Sequence, residues 1–267
     1  MSRGRARWVA MLALGLVAGV APSSFAQGIV GLDTAGIEAA SGLKGQFISE
    51  ENVFKIGKPR SDVKIQVDQW AMAPFMGLGS WAAFTPGHGG AMMMGDTVLL
   101  EDEVNPVMSA AFEAGLDVTA LHNHFFFDEP RVYFMHIGGM GDAKVLAAGV
   151  KKVYDKIADI RAANPTPLKS FPGKIDTPSA ITAAPLEQVL GVKGQSNQGM
   201  FKIVIGRTAS MHGVAVSKEM GINTWAAFAG SDNAAFVDGD FAMLENELQP
   251  VLRAMRKEGI NIVAIHQ

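Results

Sequence analysis

The sequence contains no cysteine among its 267 residues. This absence excludes a disulfide framework, a thiolate metal site and a cysteine nucleophile. Histidine is also scarce, with six residues, so a metal ion would have to be held by histidine, carboxylate, methionine or backbone oxygen. Charged residues make up 18% of the chain and hydrophobic residues 48%, which is typical of a globular protein and not of a disordered one.

Residues 1–26 have the pattern of a secretory signal peptide. Three arginines precede the apolar run 8–20, which is too short for a comfortable transmembrane helix, and Ser24–Ala26 forms a small-x-small cleavage site. The alternative is an uncleaved anchor. Cleavage before Gln27 predicts a periplasmic or secreted protein with no membrane span. It also removes three arginines and no acids, which changes the formal charge from −3 to −6 and argues against nucleic acid as a partner.

The chain contains the same segment twice. Residues 95–123 align without gaps on residues 239–267 at a constant offset of 144, with eleven identities in 29 positions. The tetrapeptide "WAAF" also occurs twice, at 81–84 and 225–228. These correspondences indicate a tandem duplication.

The duplication defines the expected organisation after the signal peptide. We expect the first copy at 28–160, a linker rich in Pro, Ala, Ser and Thr at 161–182, and the second copy at 183–267. The first copy continues for about 35 residues beyond His122, whereas the second stops one residue after its counterpart, His266. We therefore expect the second copy to be incomplete, as in a fragment or a truncated gene product.

The residue patterns predict an α+β fold in which each copy is a β-rich unit with two helices and antiparallel sheets. Strands are predicted at 62–68, 79–86 and 91–100, then around "DVTALHNHF" and "RVYFMHI". Apolar spacings of three and four predict helices near 101–114 and 143–157. Gly115 is expected to end the first helix, and Asp142 to cap the second.

Three of the six histidines lie within fifteen positions of each other. His122 and His124 share one face of a predicted strand, since side chains alternate along a strand. If the next strand pairs even-numbered residues with even-numbered ones, His136 joins them, beside Val118 and Phe134; an odd register places it on the opposite face. Three imidazoles on one face are suited to Zn or Cu, with water or a carboxylate as the fourth ligand.

The same residues allow two other interpretations. They can form a metal-free site for a small molecule or for acid–base chemistry, or they can be core histidines that only form hydrogen bonds. Glu129 is the nearest acid, and we consider it as the catalytic base or the fourth metal ligand. Asn123 and Arg131 are candidate ligand-binding residues, since a guanidinium can hold a carboxylate or phosphate with two hydrogen bonds. The alternative for Arg131 is a surface ion pair with Glu129 or Asp128.

Methionine is abundant, with fifteen residues, and three of them are consecutive at 92–94. Such a run in an exported protein raises the possibility of copper binding. Because side chains alternate along a strand, however, all three cannot face one ion, and we expect them to pack in the core.

The "LLEDEVNPV", "ALHNH", "EPR" and following "H" elements occur in an order that resembles the LppY/LpqO family, exported bacterial proteins built around a domain of unknown function. The resemblance covers nearly all of the mature chain, and the "NTWAAF…GD…IHQ" segment is similar to the family's second half, whose pattern continues further. It implies no established reaction. It marks six motif positions without roles: His122, Asn123, His124, Glu129, Arg131 and His136.

The sequence thus predicts an exported protein with a His-lined site for a metal ion or a small molecule. A metal-dependent hydrolase of the cell envelope and a structural module with core histidines are the alternatives. Whether the protein is an enzyme stays open at this point.

Overall fold

The computed structural model describes residues 31–170 and 173–266, so the expected signal peptide at 1–26 lies outside the described residues. Five α-helices run through α1 Thr34–Ser41, α2 Glu101–Glu113, α3 Ala143–Ala163, α4 Ala183–Leu190 and α5 Glu245–Lys257. The strands of the first copy are β1 Gly45–Ile48, β2 Val53–Pro59, β3 Ile65–Val67, β4 Trp70–Met72, β5 Gly79–Gly87, β6 Gly90–Leu100, β7 Asp117–His122, β8 Asp128–Glu129 and β9 Val132–Gly141. Those of the second are β10 Gln195–Asn197, β11 Met200–Gly206, β12 Ala209–Met211, β13 Val214–Val216, β14 Asn223–Gly230 and β15 Ala235–Asp240.

The main sheet has six antiparallel strands in the order β1-β2-β5-β6-β9-β7. In β6 and β9 the odd-numbered residues, such as Met93 and Met135, are buried in the core beneath α2 and α3. Even-numbered residues of the same two strands point to the other face, which we call the outer face. Near the end of β6 this face is covered by a smaller apolar cluster that includes Val98, Val132 and Phe134. The alternation of side chains along a strand therefore separates the core from the outer face.

The helices α2 and α3 agree with the predicted ones at their starts. Helix α2 begins at Glu101 and ends at Glu113, and Gly115 follows it with a left-handed φ of 78°. The Asp142 side chain caps α3 by accepting from the amides of Lys144 and Val145. Helix α3 extends to Ala163, six residues beyond the predicted end, where Arg161 pairs with Asp102 of α2.

Two expectations about the first copy differ from the structure. The strand predicted at 62–68 is only Ile65–Val67, which belongs to a small three-stranded sheet with β4 and β8. The methionines at 92–94 are not all in the core: Met93 is fully buried, whereas Met92 and Met94 lie on the outer face. The prediction that all three methionines pack in the core was wrong for Met92 and Met94. Side chains alternate along β6, and these two point to the outer face, which α2 and α3 do not cover.

The second copy repeats the first four strands of the main sheet, in the order β10-β11-β14-β15. It also repeats individual contacts. The Lys55 ammonium lies 4.3 Å from the centre of the Trp81 ring, and that of Lys202 lies 4.2 Å from Trp225. The α+β class and the duplication are thus confirmed. No helix in the described ranges is long and apolar enough to span a membrane.

The two copies meet through reciprocal hydrogen bonds. Asn105 exchanges two hydrogen bonds with the backbone of Ile262, at 3.2 and 2.7 Å. Gln249, its counterpart at the 144-residue offset, exchanges two with the backbone of Val118, at 3.1 and 2.8 Å. Ile262 is likewise the counterpart of Val118. Each hydrogen bond from the first copy to the second therefore has an equivalent hydrogen bond from the second copy to the first. The interface therefore has approximate two-fold symmetry.

The expected linker lies between α3 and α4. Helix α3 crosses the expected boundary at residue 160 and ends at Ala163, and α4 begins at Ala183. Ala180 then forms an isolated bridge with Ser231, which attaches the linker to the second copy.

Candidate functional site

The three clustered histidines come from β7, β9 and the loop that follows β7. The expectation that His122 and His124 share one face of a strand was wrong, because β7 ends at His122 and His124 lies in the loop. His122 is the last residue of β7 and stands opposite Phe134 of β9, while His136 stands opposite Ala120. The register therefore pairs even-numbered residues with even-numbered ones at this end. His122 and His136 consequently share the outer face, and the opposite arrangement considered from the sequence does not occur.

A β-bulge changes this parity toward the start of β7. Val118 pairs with Ile137 and Ala120 with His136, so Thr119 is the extra residue. Val118 and Leu121 both enter the core as a result. The expectation that Val118 shares the histidine face was wrong, because a bulge reverses the in/out alternation and cannot be seen in the sequence pattern.

The Nε2 atoms of His122 and His136 are 3.1 Å apart, and the two rings meet edge to face with centroids 4.9 Å apart. His124 stacks on the other side of His122, at 5.0 Å between centroids, and its ring also lies on Phe134 at 3.8 Å. The three imidazoles thus form one contiguous group. Phe134 supplies an apolar floor beneath two of them.

Asp96 is the acid that belongs to this group. It lies on β6 directly opposite His136 in the register, on the outer face. Its Oδ1 atom is buried and has no hydrogen-bond partner among the described residues. Burial raises the pKa of Asp96 above its usual value, and the three neighbouring histidines oppose this effect.

The pKa of His124 is affected by burial and by its neighbours. Burial lowers the pKa of His124, and the positive charge that His122 can carry acts in the same direction. Asp96 acts against both effects. An acid with a raised pKa beside an imidazole with a lowered pKa is the kind of arrangement found in functional sites more often than in structural ones.

The sequence interpretation did not select Asp96 as a site residue. The residue stood out only as a member of the repeated Gly-Asp pair, with Asp240 as its counterpart. Its position opposite His136 depends on the pairing of β6 with β9, which are separated along the chain by one helix and two strands, α2, β7 and β8. Only the strand order of the sheet reveals it.

The side chains of the other three predicted residues lie around the group, and one backbone contact joins it, the Asn123 carbonyl at 3.4 Å from His122 Nδ1. The Glu129 side chain is 80% exposed and its carboxylate is 3.8 Å from the Lys169 ammonium. The Asn123 side-chain amide donates to the carbonyl of Val132 at 3.4 Å, which connects the loop after β7 to the start of β9.

Arg131 lies on the surface and forms an exposed ion pair with Glu101 at 3.6 Å. From the sequence, Glu129 or Asp128 was expected as the partner of Arg131 in a surface ion pair, and this expectation was wrong. The Asp128 carboxylate instead accepts from the amide of Val132 at 2.6 Å. Arg131 pairs instead with an acid at the start of α2.

The second copy presents the counterparts of two members of the group. His266 follows Ile265, which bridges to Leu121, and Asp240 ends β15; both side chains are exposed. Across residues 31–170 and 173–266, no three His, Asp or Glu side chains are placed so that they could hold a metal ion as they stand. The group in the first copy would therefore have to adjust side-chain rotamers to place a third ligand on one ion.

Comparison with known proteins gives one match. The family model described as Domain of Unknown Function (DUF1259) matches residues 35–156 and 184–267, and these two segments correspond to the two copies. No curated protein and no solved structure matches the chain.

Proposed function

The chain belongs to the DUF1259 family, and we propose that it is an exported, LppY/LpqO-like protein that binds a divalent metal ion through His122, His136, His124 and Asp96. Three of these ligands lie on the outer face of the sheet and His124 lies in the adjoining loop, and together they make up a nitrogen-rich, cysteine-free donor set. Zn²⁺ and Cu²⁺ suit imidazole and carboxylate donors of this kind.

The observation that carries the proposal is the 3.1 Å separation of the His122 and His136 Nε2 atoms. Two nitrogens bound to one tetrahedral Zn²⁺ at about 2.0–2.1 Å are separated by about 3.3 Å, so these atoms can share an ion with almost no movement. A hydrogen bond between neutral imidazoles also fits this distance, and it is the arrangement expected of core histidines.

The surroundings of the pair favour a ligand over that structural alternative. The buried, unpartnered Oδ1 of Asp96 costs stability in the absence of a positive partner. A divalent cation between the imidazoles and Asp96 would satisfy this oxygen and keep the carboxylate ionised. His124 can supply the fourth donor by rotating away from its stack on Phe134.

This donor set favours binding over catalysis. Three imidazoles and Asp96 would complete a four-coordinate shell, whereas a catalytic metal keeps one position open for water. Glu129, the base considered for a hydrolase, is directed toward solvent and Lys169. A metal-dependent hydrolase therefore remains the second candidate, and its test is activity that depends on the same ion.

The location of the protein forms part of the proposal. The arginine-led apolar segment and the cleavage site at Ser24–Ala26 support export to the periplasm or the exterior. Metal handling there cannot depend on thiols in this chain, since it has no cysteine.

The decisive experiment measures metal content in the untagged protein purified from the periplasm, by elemental mass spectrometry. The comparison is with a His122→Ala/His136→Ala variant, and the matched control is His88→Ala/His212→Ala, which removes two histidines outside the group. We expect close to one Zn or Cu per chain in the parent and the control, and its loss in the site variant while the fold is retained.

The proposal fails if the parent contains no metal and does not take up added Zn²⁺ or Cu²⁺. A loss of stability in the site variant without metal in the parent would show instead that the histidines are structural. Metal retained equally in both variants would place the ion elsewhere and would also contradict the proposal.

A further inference from the structure

The outer face of the main sheet continues beyond the histidine group into a patch of methionines. Met92 and Met94 of β6 and Met140 of β9 are 39%, 57% and 60% exposed. Met92 and Met140 stand directly opposite each other in the register, so their side chains are neighbours on this face. We call these three residues the methionine patch.

Gly138 is the fourth position of the square that the three methionines form on the two strands. It stands opposite Met94 and two positions from Met140 on the same strand. A Cβ added at Gly138 would meet no atom nearer than the Met93 carbonyl oxygen, at 3.5 Å, so the space above it is open. The outer face therefore has no side chain at Gly138, next to the three methionines.

Core packing does not account for these methionines. Met93, between two members of the patch, is fully buried and fills that role. An exposed strand position is better suited to a β-branched or polar residue, since methionine gives up apolar surface to water there. Three thioethers at one exposed site are better explained by the chemistry of sulfur.

We propose that the methionine patch binds a soft monovalent cation of the Cu⁺ type through the sulfurs of Met92, Met94 and Met140. Thioether sulfur is a soft ligand that selects Cu⁺ over the harder divalent ions. Flexible side chains with three rotatable bonds can converge over the open floor at Gly138. This inference is independent of the divalent site, because it requires neither the histidines nor Asp96.

The methionine patch lies beside the histidine group on the same face of the sheet. His136 is two positions from Gly138 and shares its face, opposite Asp96. Positions two apart along a strand are separated by about 6.6 Å. The soft donors and the imidazole–carboxylate donors thus occupy neighbouring parts of one surface. The patch would take the reduced ion, and the histidine group the divalent one.

The test titrates the full mature protein with Cu⁺ in competition with a chromophoric Cu⁺ chelator, and with Ag⁺ as a redox-stable probe. The site variant is Met92→Leu/Met94→Leu/Met140→Leu, in which leucine keeps the volume and apolarity and removes only the sulfur. The matched control is Met76→Leu/Met220→Leu, two exposed methionines at equivalent positions of the two copies. Thermal unfolding of each variant checks that the fold is retained.

We expect the parent and the control to bind one Cu⁺ and one Ag⁺ per chain, and the site variant to lose at least tenfold in affinity for both. His122→Ala/His136→Ala should keep the Cu⁺ site, which separates this result from that of the divalent site. Equal affinity in the parent and the site variant, equal losses in the site variant and the control, or no binding by the parent would each overturn the proposal.

Discussion

Replacement of Glu103 by glutamine should destabilise the protein far more than the same replacement at Glu247, its counterpart in the second copy. Glu103 accepts from Arg60 at 2.7 and 3.0 Å and from the Leu100 amide at 2.8 Å. Glu247 accepts from Arg207 at 2.5 and 3.0 Å and from the Leu244 amide at 2.8 Å. The two copies therefore contain the same hydrogen-bonded pair.

The two pairs differ in burial. The Glu103 and Arg60 side chains are 0% and 4% exposed, whereas those of Glu247 and Arg207 are 36% and 35% exposed. Arg161, also buried, places its Nε 2.8 Å from Glu103. Glu103→Gln would thus remove the charge that two buried guanidiniums share, and would leave Arg60 paired with Asp62 and Arg161 with Asp102.

The expected loss of stability follows from this difference in burial. Loss of one partner costs about 3–5 kcal/mol when the remaining buried charge has no other partner. Because Asp62 and Asp102 stay paired with the two guanidiniums, we expect a smaller loss at Glu103, of about 2–3 kcal/mol. For a domain of this size the unfolding temperature should fall by about 4–12 °C. Glu247→Gln should change it much less, because solvent reaches Arg207 and replaces the lost interaction.

Thermal and urea unfolding of the parent and the two variants, followed by circular dichroism, measures both losses. Glutamine keeps the shape of the side chain and can still accept from the helix-start amide through its one oxygen. Both variants therefore lose the charge and one acceptor, and they differ in the burial of the site. Equal losses at the two positions, or a loss below about 1 kcal/mol at Glu103, would refute the argument from burial.

Two further predictions concern other buried polar groups. Tyr154→Phe should raise stability, since the hydroxyl is buried without a partner in the described part of the chain. Burial raises the pKa of the Tyr154 hydroxyl, so above pH 10 the hydroxyl ionises in the unfolded state before it does in the folded state. The parent protein therefore loses stability as the pH rises above 10, and Tyr154→Phe should lose less. Unfolding measured as a function of pH tests this difference. Asn105→Ala should cost about 1–3 kcal/mol, because it leaves the Ile262 backbone groups unpaired; Gln249→Ala should cost a similar or smaller amount at the Val118 backbone. Urea unfolding tests this pair, and no change at either residue would mean that the reciprocal hydrogen bonds do not hold the copies together.

The sequence allowed the prediction of the elements with strong local signals. Helix α2 has acids in its first turn and a glycine after its end, and α3 begins at a capping aspartate, so both starts were predictable. Strands β5 and β6 are long and bounded by glycines, so their pairing was predictable as well. The repeat could be identified from identical residues at a constant offset.

The site was predictable only in part, since its geometry depends on long-range pairing. The histidines were identifiable because they are rare in the chain and closely spaced. The register that brings His122 to His136 is not encoded in local periodicity, and the bulge at Thr119 disrupts that periodicity. Asp96 was missed because a carboxylate shows no sequence signal for a partner forty residues away.

The second copy also supports strand β7, which carries His122. Strand β7 would otherwise be an edge strand with one free side. Leu121 instead pairs with Met135 of β9 on one side and exchanges hydrogen bonds with Ile265 of the second copy, at 3.3 and 3.2 Å, on the other. The residue before His122 is thus fixed from both sides. A binding site requires its first ligands to be positioned by rigid neighbours, and the second copy provides one of the two supports of this strand.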